Sequence, residues 1–227
     1  MIAIIQARMS SKRLPGKVLK KINGKPMLMR IVENIKKSKN IKKIYIATSG
    51  SPKDNKIVNF CKRNRFNFFK GELNNVSLRF KTFLEKKESG CKEFVRINGD
   101  SPFIDSALVD KFVKIFKKKK PNILTNTFPR TFPKGQSIEI INSKFFITNL
   151  KYFKHPDDKE HVTHFFYRKK YKGILNLKST RNYSKVNMCV DTKKDLKIAR
   201  SVYKNFIDKQ KQKVCWKSLI NHFNEKK

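Results

Sequence analysis

The sequence lacks the cysteine patterns that mark a zinc site or a disulfide framework. Its four cysteines are dispersed and include no Cys-x-x-Cys pair; they are Cys61, Cys91, Cys189 and Cys215. Long apolar runs are also missing, and the short apolar start of the chain is followed at once by Arg8, which fits neither a signal peptide nor a membrane span. These absences predict a reduced, cytoplasmic protein without a membrane span.

Acidic residues are scarce in this chain. It has 17 Asp and Glu against 55 Lys and Arg, for a formal charge of +38, and such an excess ordinarily suggests a nucleic acid or an anionic membrane as partner. The lysines recur in every segment, however, instead of gathering on one stripe or tail. We therefore interpret the charge as a solvated basic surface and predict no specific nucleic-acid partner. Hydrophobic residues still make up 38% of the chain, enough for a packed core.

Two glycine-rich phosphate-binding motifs are absent as well. Neither a Walker A sequence nor G-x-G-x-x-G occurs, which removes the main support for a P-loop ATPase or a dinucleotide-binding protein. The chain has instead a polar loop at residues 6–17, directly after the apolar run at residues 2–5. The side chains of this loop include Arg8, Ser10, Ser11, Lys12, Arg13 and Lys17. Together with exposed backbone amides, these hydroxyls and cations offer a cradle for a polyanion.

Apolar runs alternate with helical patterns along the first half of the chain. The runs at residues 2–5 and 94–97 are typical of strands buried on both faces, and helical spacing of apolar residues recurs between such runs. Successive βα units predict an α/β fold whose mostly parallel sheet is flanked by helices and joined by right-handed crossovers. Ligands bind at the carboxyl ends of such strands. The loop at residues 6–17 and the turn Asn98-Gly99-Asp100 are therefore expected to share one crevice.

The second half of the chain is less regular. Residues from about 122 to 178 are interrupted repeatedly by proline and glycine. We interpret this stretch as a small insertion that covers the active site and serves dimerisation, within a single domain of residues 1–227. The apolar pattern at residues 186–190 then predicts a strand, and Asp191-Thr192 indicates the start of a further helix.

Ordered motifs run through most of the chain. They are residues 6–17, Gly24-Lys25-Pro26-Met27-Leu28, Ile46-Ala47-Thr48-Ser49, Asn98-Gly99-Asp100-Ser101-Pro102, Pro133-Lys134-Gly135 with Glu139, Glu160-His161-Val162-Thr163, and Val190-Asp191-Thr192 with Asp195-Leu196. Together they resemble the cytidylyltransferases of the spore coat polysaccharide SpsF type, relatives of the CMP-KDO and acylneuraminate cytidylyltransferases. The resemblance implies a Rossmann-like nucleotidyltransferase fold. It also implies transfer of CMP from CTP to a sugar, a 3-deoxy-2-keto sugar acid, with release of pyrophosphate, in surface polysaccharide biosynthesis.

The resemblance assigns roles to individual residues. The expected nucleotide-binding residues are Ala7, Arg8, Ser10, Lys12, Arg13, Lys17, Arg79 and Asn98. Arg8, Lys17 and Asp100 are expected to be catalytic, the cations because they stabilise charge on the α-phosphate and on departing pyrophosphate. Asp100 and Asp191 match positions that bind magnesium, and Mg²⁺ characteristically takes one or two carboxylates with phosphate oxygens and waters. The expected sugar-binding residues are Glu139, Glu160, His161 and Thr163. A homodimer is the expected assembly.

Several of these residues also have simpler structural explanations. Asp191 is placed where a helix N-cap is expected, since a helical pattern follows it. Asp100 suits an Asx turn. Arg79 suits a solvated helix surface, and Glu160-His161 suits the polar start of a helix.

The function has alternatives too. A nucleotidyltransferase that uses another NTP or a non-acidic acceptor needs the same cationic loop. The chain also departs from the family at two positions, with Ser137 where an acidic residue is common and Ser101 where a cysteine is common, so its contacts with the sugar can differ. If Arg8 and Lys17 are ordinary surface bases, the chain is a polyanion-binding protein with a decayed site. The retained acids argue against decay, because a patch built only for polyanions gains nothing from local carboxylates.

Overall fold

The computed structural model describes residues 1–223. Its strands are β1 (Ile2–Gln6), β2 (Lys21–Ile22), β3 (Lys25–Pro26), β4 (Lys43–Ser49), β5 (Asn67–Gly71), β6 (Glu93–Asn98), β7 (Ile123–Thr125), β8 (Glu139–Asn142) and β9 (Ile174–Asn176). Its α-helices are α1 (Met27–Lys36), α2 (Asn55–Arg63), α3 (Val76–Lys86), α4 (Ser106–Lys119), α5 (Ser143–Asn149), α6 (Pro156–Glu160), α7 (His164–Arg168), α8 (Lys193–Val202) and α9 (Trp216–Leu219). The predicted α/β class is confirmed.

Seven of the strands form one sheet in the order β5-β4-β1-β6-β8-β7-β9. The four neighbouring strands β5, β4, β1 and β6 pair in parallel. Strand β8 runs antiparallel to both of its neighbours, β6 and β7, and β7 pairs in parallel with β9. At the centre, Gln6 of β1 lies opposite Asn98 of β6 and Ala47 of β4. The carboxyl ends of β1, β4 and β6 therefore meet at the same edge of the sheet.

Both faces of the central strand are buried. Ala3 and Ile5 belong to one hydrophobic cluster, with α1 and α4, whereas Ile2 and Ile4 belong to a second, with α3 and α5. Successive side chains of a strand point to opposite faces, so a strand between two helical layers needs apolar residues without interruption. The polar side chains of β1 consequently begin at its last residue, Gln6.

The stretch at residues 122–178 contributes to the main sheet as well as to its surroundings. It contains β7, β8 and β9, which lie together at one side of the sheet. The expected insertion is thus partly an integral component of the fold. Strands of three or four residues are too short to show a two-residue period, so the sequence pattern indicated short strands in this stretch without locating them.

Residues 186–190 are not a strand, contrary to the sequence prediction. This segment is extended but forms one isolated bridge, between Asn187 and Lys134. Its backbone is held by loops instead: Met188 N–H donates to the Lys134 carbonyl at 2.9 Å, and Val190 N–H donates to the Asp100 carbonyl at 2.9 Å. The apolar residues of this segment are buried because it packs between loops. A segment buried in this way has the same pattern of apolar residues as a strand.

Gly99 lets the end of β6 approach the end of β1. Its N–H donates to the Gln6 carbonyl at 2.9 Å, and a Cβ at this position would lie 2.5 Å from the same backbone oxygen. That contact is with backbone, which has no rotamer to relieve it. A side chain at residue 99 must therefore separate the two strand ends.

We expect Gly99→Ala to lower the free energy of unfolding by about 1–3 kcal/mol, the usual cost of overpacking, as measured by chemical denaturation. Gly90→Ala is the matched control, because a Cβ there meets no atom within 4 Å. The control should change stability by less than about 0.5 kcal/mol, as exposed substitutions usually do. Equal effects of the two substitutions would contradict this account of Gly99.

Candidate active site

A cavity of about 1000 Å³ opens at the carboxyl ends of β1 and β6. Its wall contains every residue expected to bind the nucleotide, which are Ala7, Arg8, Ser10, Lys12, Arg13, Lys17, Arg79 and Asn98. Asp100, Asp191, Glu160 and His161 also line it. The prediction that the loops after β1 and β6 share one crevice is confirmed, and the contact of these residues with a nucleotide stays a prediction.

The loop after β1 is a folded turn. The Met9 carbonyl accepts hydrogen bonds from the N–H groups of Ser11 and Gly16, both at 3.0 Å, and Gly16 has a φ of +67°, which glycine adopts without strain. The buried side chain of Leu14 joins the loop to the hydrophobic core. The cations of the loop are thus presented by a backbone that is organised before any ligand binds.

Asp54 holds this loop in place by hydrogen bonds. This residue was not identified from the sequence. It is buried, and its Oδ1 accepts a hydrogen bond from the Met9 N–H at 2.7 Å. Its Oδ2 accepts hydrogen bonds from the hydroxyl and the N–H of Ser49, at the end of β4. One carboxylate therefore connects the loop after β1 to the adjacent strand. The available signal was an acidic residue soon after a strand end, in a chain with few acids.

Arg79 is a buried component of the cavity wall. Only 1% of its surface is exposed, so the alternative of a solvated helix residue is wrong. Its Nε donates to the Glu72 carbonyl at 2.8 Å, and its Nη2 donates to the carbonyls of Glu72 and Leu73. Burial lowers the pKa of Arg79 to about 10, and the nearby charge of Arg8 acts in the same direction. Arg79 thus shapes the loop before α3 and adds positive charge behind the cavity.

The ammonium group of Lys17 lies between two carboxylates. Its Nζ is 2.9 Å from Asp100 Oδ2 and 2.7 Å from Asp191 Oδ1. Burial by itself lowers the pKa of Lys17, but the charge of Asp100 and the hydrogen bonds to both aspartates outweigh burial and raise it. The side chain is therefore held as a cation. A second cation, Arg13, lies 3.0 Å from Asp191 Oδ2.

The simpler explanations of the two aspartates are wrong. The N-cap of α8 is Thr192, whose hydroxyl accepts from the Asp195 N–H in a capping box, so Asp191 is left to face the cavity. An Asx turn at Asp100 would need a backbone N–H two residues later, and residue 102 is a proline. Asp100 is oriented instead by the Ser101 hydroxyl, which donates to its Oδ1 at 3.2 Å.

An ion pair closes the other side of the cavity. Arg8 Nη2 lies 2.5 Å from Glu160 Oε1, and the two side chains are 42% and 48% exposed. This pair joins the loop after β1 to the end of α6. Because exposed ion pairs contribute little stability, the Arg8–Glu160 pair can open at small cost.

Two of the four expected sugar-binding residues lie behind the cavity wall. Glu160 and His161 line the cavity, but Glu139 and Thr163 are not among its lining residues. Glu139 is buried, forms an ion pair with Arg96, and accepts hydrogen bonds from Thr163 Oγ1 at 2.6 Å and from the Tyr167 hydroxyl. As placed, Glu139 and Thr163 act on the cavity through Arg96, because Glu139 lies opposite Arg96 at the start of β8 and Thr163, the N-cap residue of α7, donates to Glu139.

The sheet, its cationic first loop and the paired aspartates at the cavity are the arrangement of a nucleotidyltransferase. The comparison with known families is more specific. The chain belongs to the cytidylyltransferase family, whose model matches residues 2–220.

Similar proteins cover most of the chain. It is 32% identical to an uncharacterised protein of Methanocaldococcus jannaschii over 90% of this chain and 84% of the relative, and 27% identical to the spore coat polysaccharide biosynthesis protein SpsF of Bacillus subtilis over 88% of this chain and 85% of the relative. The structure of a cytidylyltransferase from Leptospira borgpetersenii superposes with a TM-score of 0.83 at 27% identity, covering 94% of this chain and 95% of that one. A CMP:2-keto-3-deoxy-manno-octonic acid synthetase complexed with CTP shares the fold, with a TM-score of 0.68 at 17% identity, over 89% of this chain and 98% of that one.

No helix within residues 1–223 has the length and apolar character to cross a membrane. The same residues include no group of three or more His, Cys, Asp and Glu side chains arranged to hold a metal ion.

Removing the Asp54 carboxylate should loosen the loop that presents the cations. We expect Asp54→Ala to leave the Met9 N–H unpaired, lower the free energy of unfolding by about 1–3 kcal/mol, and weaken CTP binding by roughly tenfold or more, since ordering the loop then costs binding energy. Calorimetry with CTP and chemical denaturation measure the two effects.

Ser49→Ala is the control for this substitution. It removes the hydroxyl that donates to Asp54 but keeps the Asp54 bond to Met9. CTP affinity should then stay within about twofold of the original, while stability falls by about 0.5–1.5 kcal/mol for each of the two hydrogen bonds that the hydroxyl makes, to Asp54 and to the Ser51 N–H. Unchanged CTP affinity in folded Asp54→Ala protein would show that Asp54 does not position the loop.

Proposed function

We propose that this protein transfers CMP from CTP to an acidic sugar, a 3-deoxy-2-keto sugar acid, and releases pyrophosphate, in surface polysaccharide biosynthesis. The observation that carries the proposal is the Lys17 ammonium shared by Asp100 and Asp191 beside a cationic loop. The names of relatives support the acceptor: 3-deoxy-manno-octulosonate cytidylyltransferase of Wigglesworthia glossinidia is 33% identical over 63% of this chain and 54% of its own length.

The proposed step is an in-line displacement at the α-phosphorus. The anomeric hydroxyl of the sugar forms an oxygen–phosphorus bond, the bond to the bridging oxygen of the β-phosphate breaks, and the hydroxyl proton passes to water. Arg8, Lys12 and Arg13 bind the β- and γ-phosphates and stabilise the charge that collects on departing pyrophosphate. Lys17 lies deeper in the cavity, and its ammonium stabilises charge on the α-phosphate oxygens.

Asp100 and Asp191 suit a magnesium ion by their geometry. Their oxygens already converge on one positive charge, the Lys17 Nζ, at 2.9 and 2.7 Å. Proteins usually provide one or two carboxylate ligands to Mg²⁺ when a substrate supplies phosphate oxygens. When bound, the ion would lower the pKa of the attacking hydroxyl and neutralise phosphate charge. We propose Asp100 and Asp191 as its ligands, with Lys17 and Arg13 released toward the phosphates.

The substrate assignment is tested by pyrophosphate release. Purified protein with Mg²⁺ is given each of CTP, UTP, ATP and GTP, combined with 3-deoxy-manno-octulosonate, with N-acetylneuraminate or with neutral hexoses. We expect release with CTP and a keto sugar acid, and loss of release when EDTA is added. Equal release from all four nucleotides would overturn the choice of CTP, and release with neutral hexoses alone would overturn the acidic acceptor.

The metal assignment is tested at its two carboxylates. We expect Asp100→Asn and Asp191→Asn each to lower kcat by on the order of 10²-fold or more, as removal of one preorganised charged group does. Steady-state kinetics in saturating Mg²⁺ measure this effect. Glu85→Gln removes an exposed carboxylate of α3 outside the cavity wall and should leave kcat unchanged. Full activity of Asp100→Asn would remove Asp100 as a ligand.

A further inference from the structure

Arg96 is a buried arginine to which the proposed reaction assigns no role. It lies in β6, two residues before Asn98, and it is one of the residues that line the cavity although only 8% of its surface is exposed. Moving a charged group out of water costs several kcal/mol unless it is paired and hydrogen-bonded. Such a residue on the floor of an active-site cavity therefore needs a partner, a function or both.

Two neighbouring strands hold the Arg96 guanidinium in one orientation. Glu139 of β8 lies directly opposite in the antiparallel register and forms an ion pair with Nη1. On the other side, Nε donates to Gln6 Oε1 of β1 at 3.0 Å. Glu139 is itself fixed by Thr163 and Tyr167. The plane of the guanidinium is consequently set by residues from β1, β8 and α7.

One nitrogen of Arg96 is left for a ligand. Within residues 1–223, Nη2 has no hydrogen-bond acceptor, and the single fully buried side-chain polar atom without a partner in that range is Thr48 Oγ1. Nη2 is therefore not sealed inside the protein but is open to the cavity that Arg96 lines. A guanidinium held at Nε and Nη1 keeps the N–H groups of Nη2, which can donate a charge-assisted hydrogen bond to an anionic oxygen such as that of a carboxylate.

The charge balance distinguishes this position from the phosphate-binding loop. The loop cations Lys12 and Arg13 are exposed and attract a polyphosphate by net positive charge. Arg96 is already neutralised by Glu139, so it offers oriented donors without an excess of charge. Oriented N–H groups in a buried position discriminate by hydrogen bonding, because a ligand that lacks the acceptor leaves them unpaired.

We propose that Arg96 selects the acidic acceptor by donating hydrogen bonds to the carboxylate of the sugar, with Glu139 and Gln6 as its positioning residues. This inference rests on the proposed function, since it concerns the acceptor of that reaction. It assigns discrimination between an acidic and a neutral sugar to one side chain. It also gives Glu139 a role through Arg96 and not by contact with the sugar.

Direct binding tests the inference without requiring turnover. The wild-type protein is titrated by calorimetry, in the presence of CMP, with 3-deoxy-manno-octulosonate and with its methyl ester, which keeps the sugar but lacks the anionic carboxylate. We expect the acid to bind at least about tenfold more tightly than the ester, the effect of one hydrogen bond to a charged group. Arg96→Gln should abolish this preference, and Arg96→Lys should reduce it. No preference in the wild type would overturn the proposal.

Kinetics separate the acceptor from the nucleotide. Arg96→Lys and Glu139→Gln should raise KM for the sugar acid by roughly 10- to 100-fold while KM for CTP stays within about twofold. Arg30→Lys is the matched control, because Arg30 is equally buried and paired with Asp208 but lies outside the cavity wall; neither KM should change. An increase confined to the KM for CTP would place Arg96 at the nucleotide and overturn the proposal.

The two hypotheses fail in different ways. If the wild type releases no pyrophosphate from CTP with any sugar, the proposed function fails, and the titration with acid and ester still decides the role of Arg96. If the wild type turns over but Arg96→Lys leaves the acceptor KM unchanged, only the inference about Arg96 fails. Should Arg96→Gln not fold, as judged by circular dichroism, the wild-type titration and Arg96→Lys decide the outcome.

Discussion

The cluster of Lys17, Asp100 and Asp191 joins segments that are separated by 83 and 174 residues in sequence. It exists because β1 and β6 are parallel neighbours, so the loop after one and the turn after the other leave the sheet at the same edge. The third segment, which carries Asp191, is held next to Asp100 by a hydrogen bond from the Val190 N–H to the Asp100 carbonyl at 2.9 Å. The rest of the cavity is arranged around this shared ammonium, with further loop cations on its outer side and the sheet below.

Each carboxylate at the cavity forms an ion pair with a cation. The burial of an ion pair decides how easily it can be broken. Arg8 and Glu160 are half exposed, so water and ions screen their attraction and a phosphate can replace the carboxylate. Arg96 and Glu139 are buried, where breaking the pair would leave an uncompensated charge. The cavity therefore combines an exposed ion pair that opens easily with a buried guanidinium whose orientation is fixed. A formal charge of +38 by itself indicates neither property.

Much of the central fold was predictable because local patterns and tertiary position agree there. The uninterrupted apolar run at residues 2–5 predicted a strand buried on both faces, and the two hydrophobic clusters confirm it. The pattern failed at residues 186–190, where burial between loops produces the same apolar sequence as a strand. It also did not locate β7, β8 and β9, because strands of three or four residues are too short to show a two-residue period.

The sequence by itself determined which residues belong to the loop after β1 and which turns end the strands, because these are local properties of a short apolar run followed by polar residues. Only the tertiary structure decided which of them act together. It made Thr192 the helix cap and left Asp191 to meet Lys17, it placed Asp54 under the loop, and it moved Glu139 behind Arg96. The physical reason is that burial and pairing depend on residues that are distant in sequence and adjacent in the fold. Local sequence patterns do not reveal which residues these are.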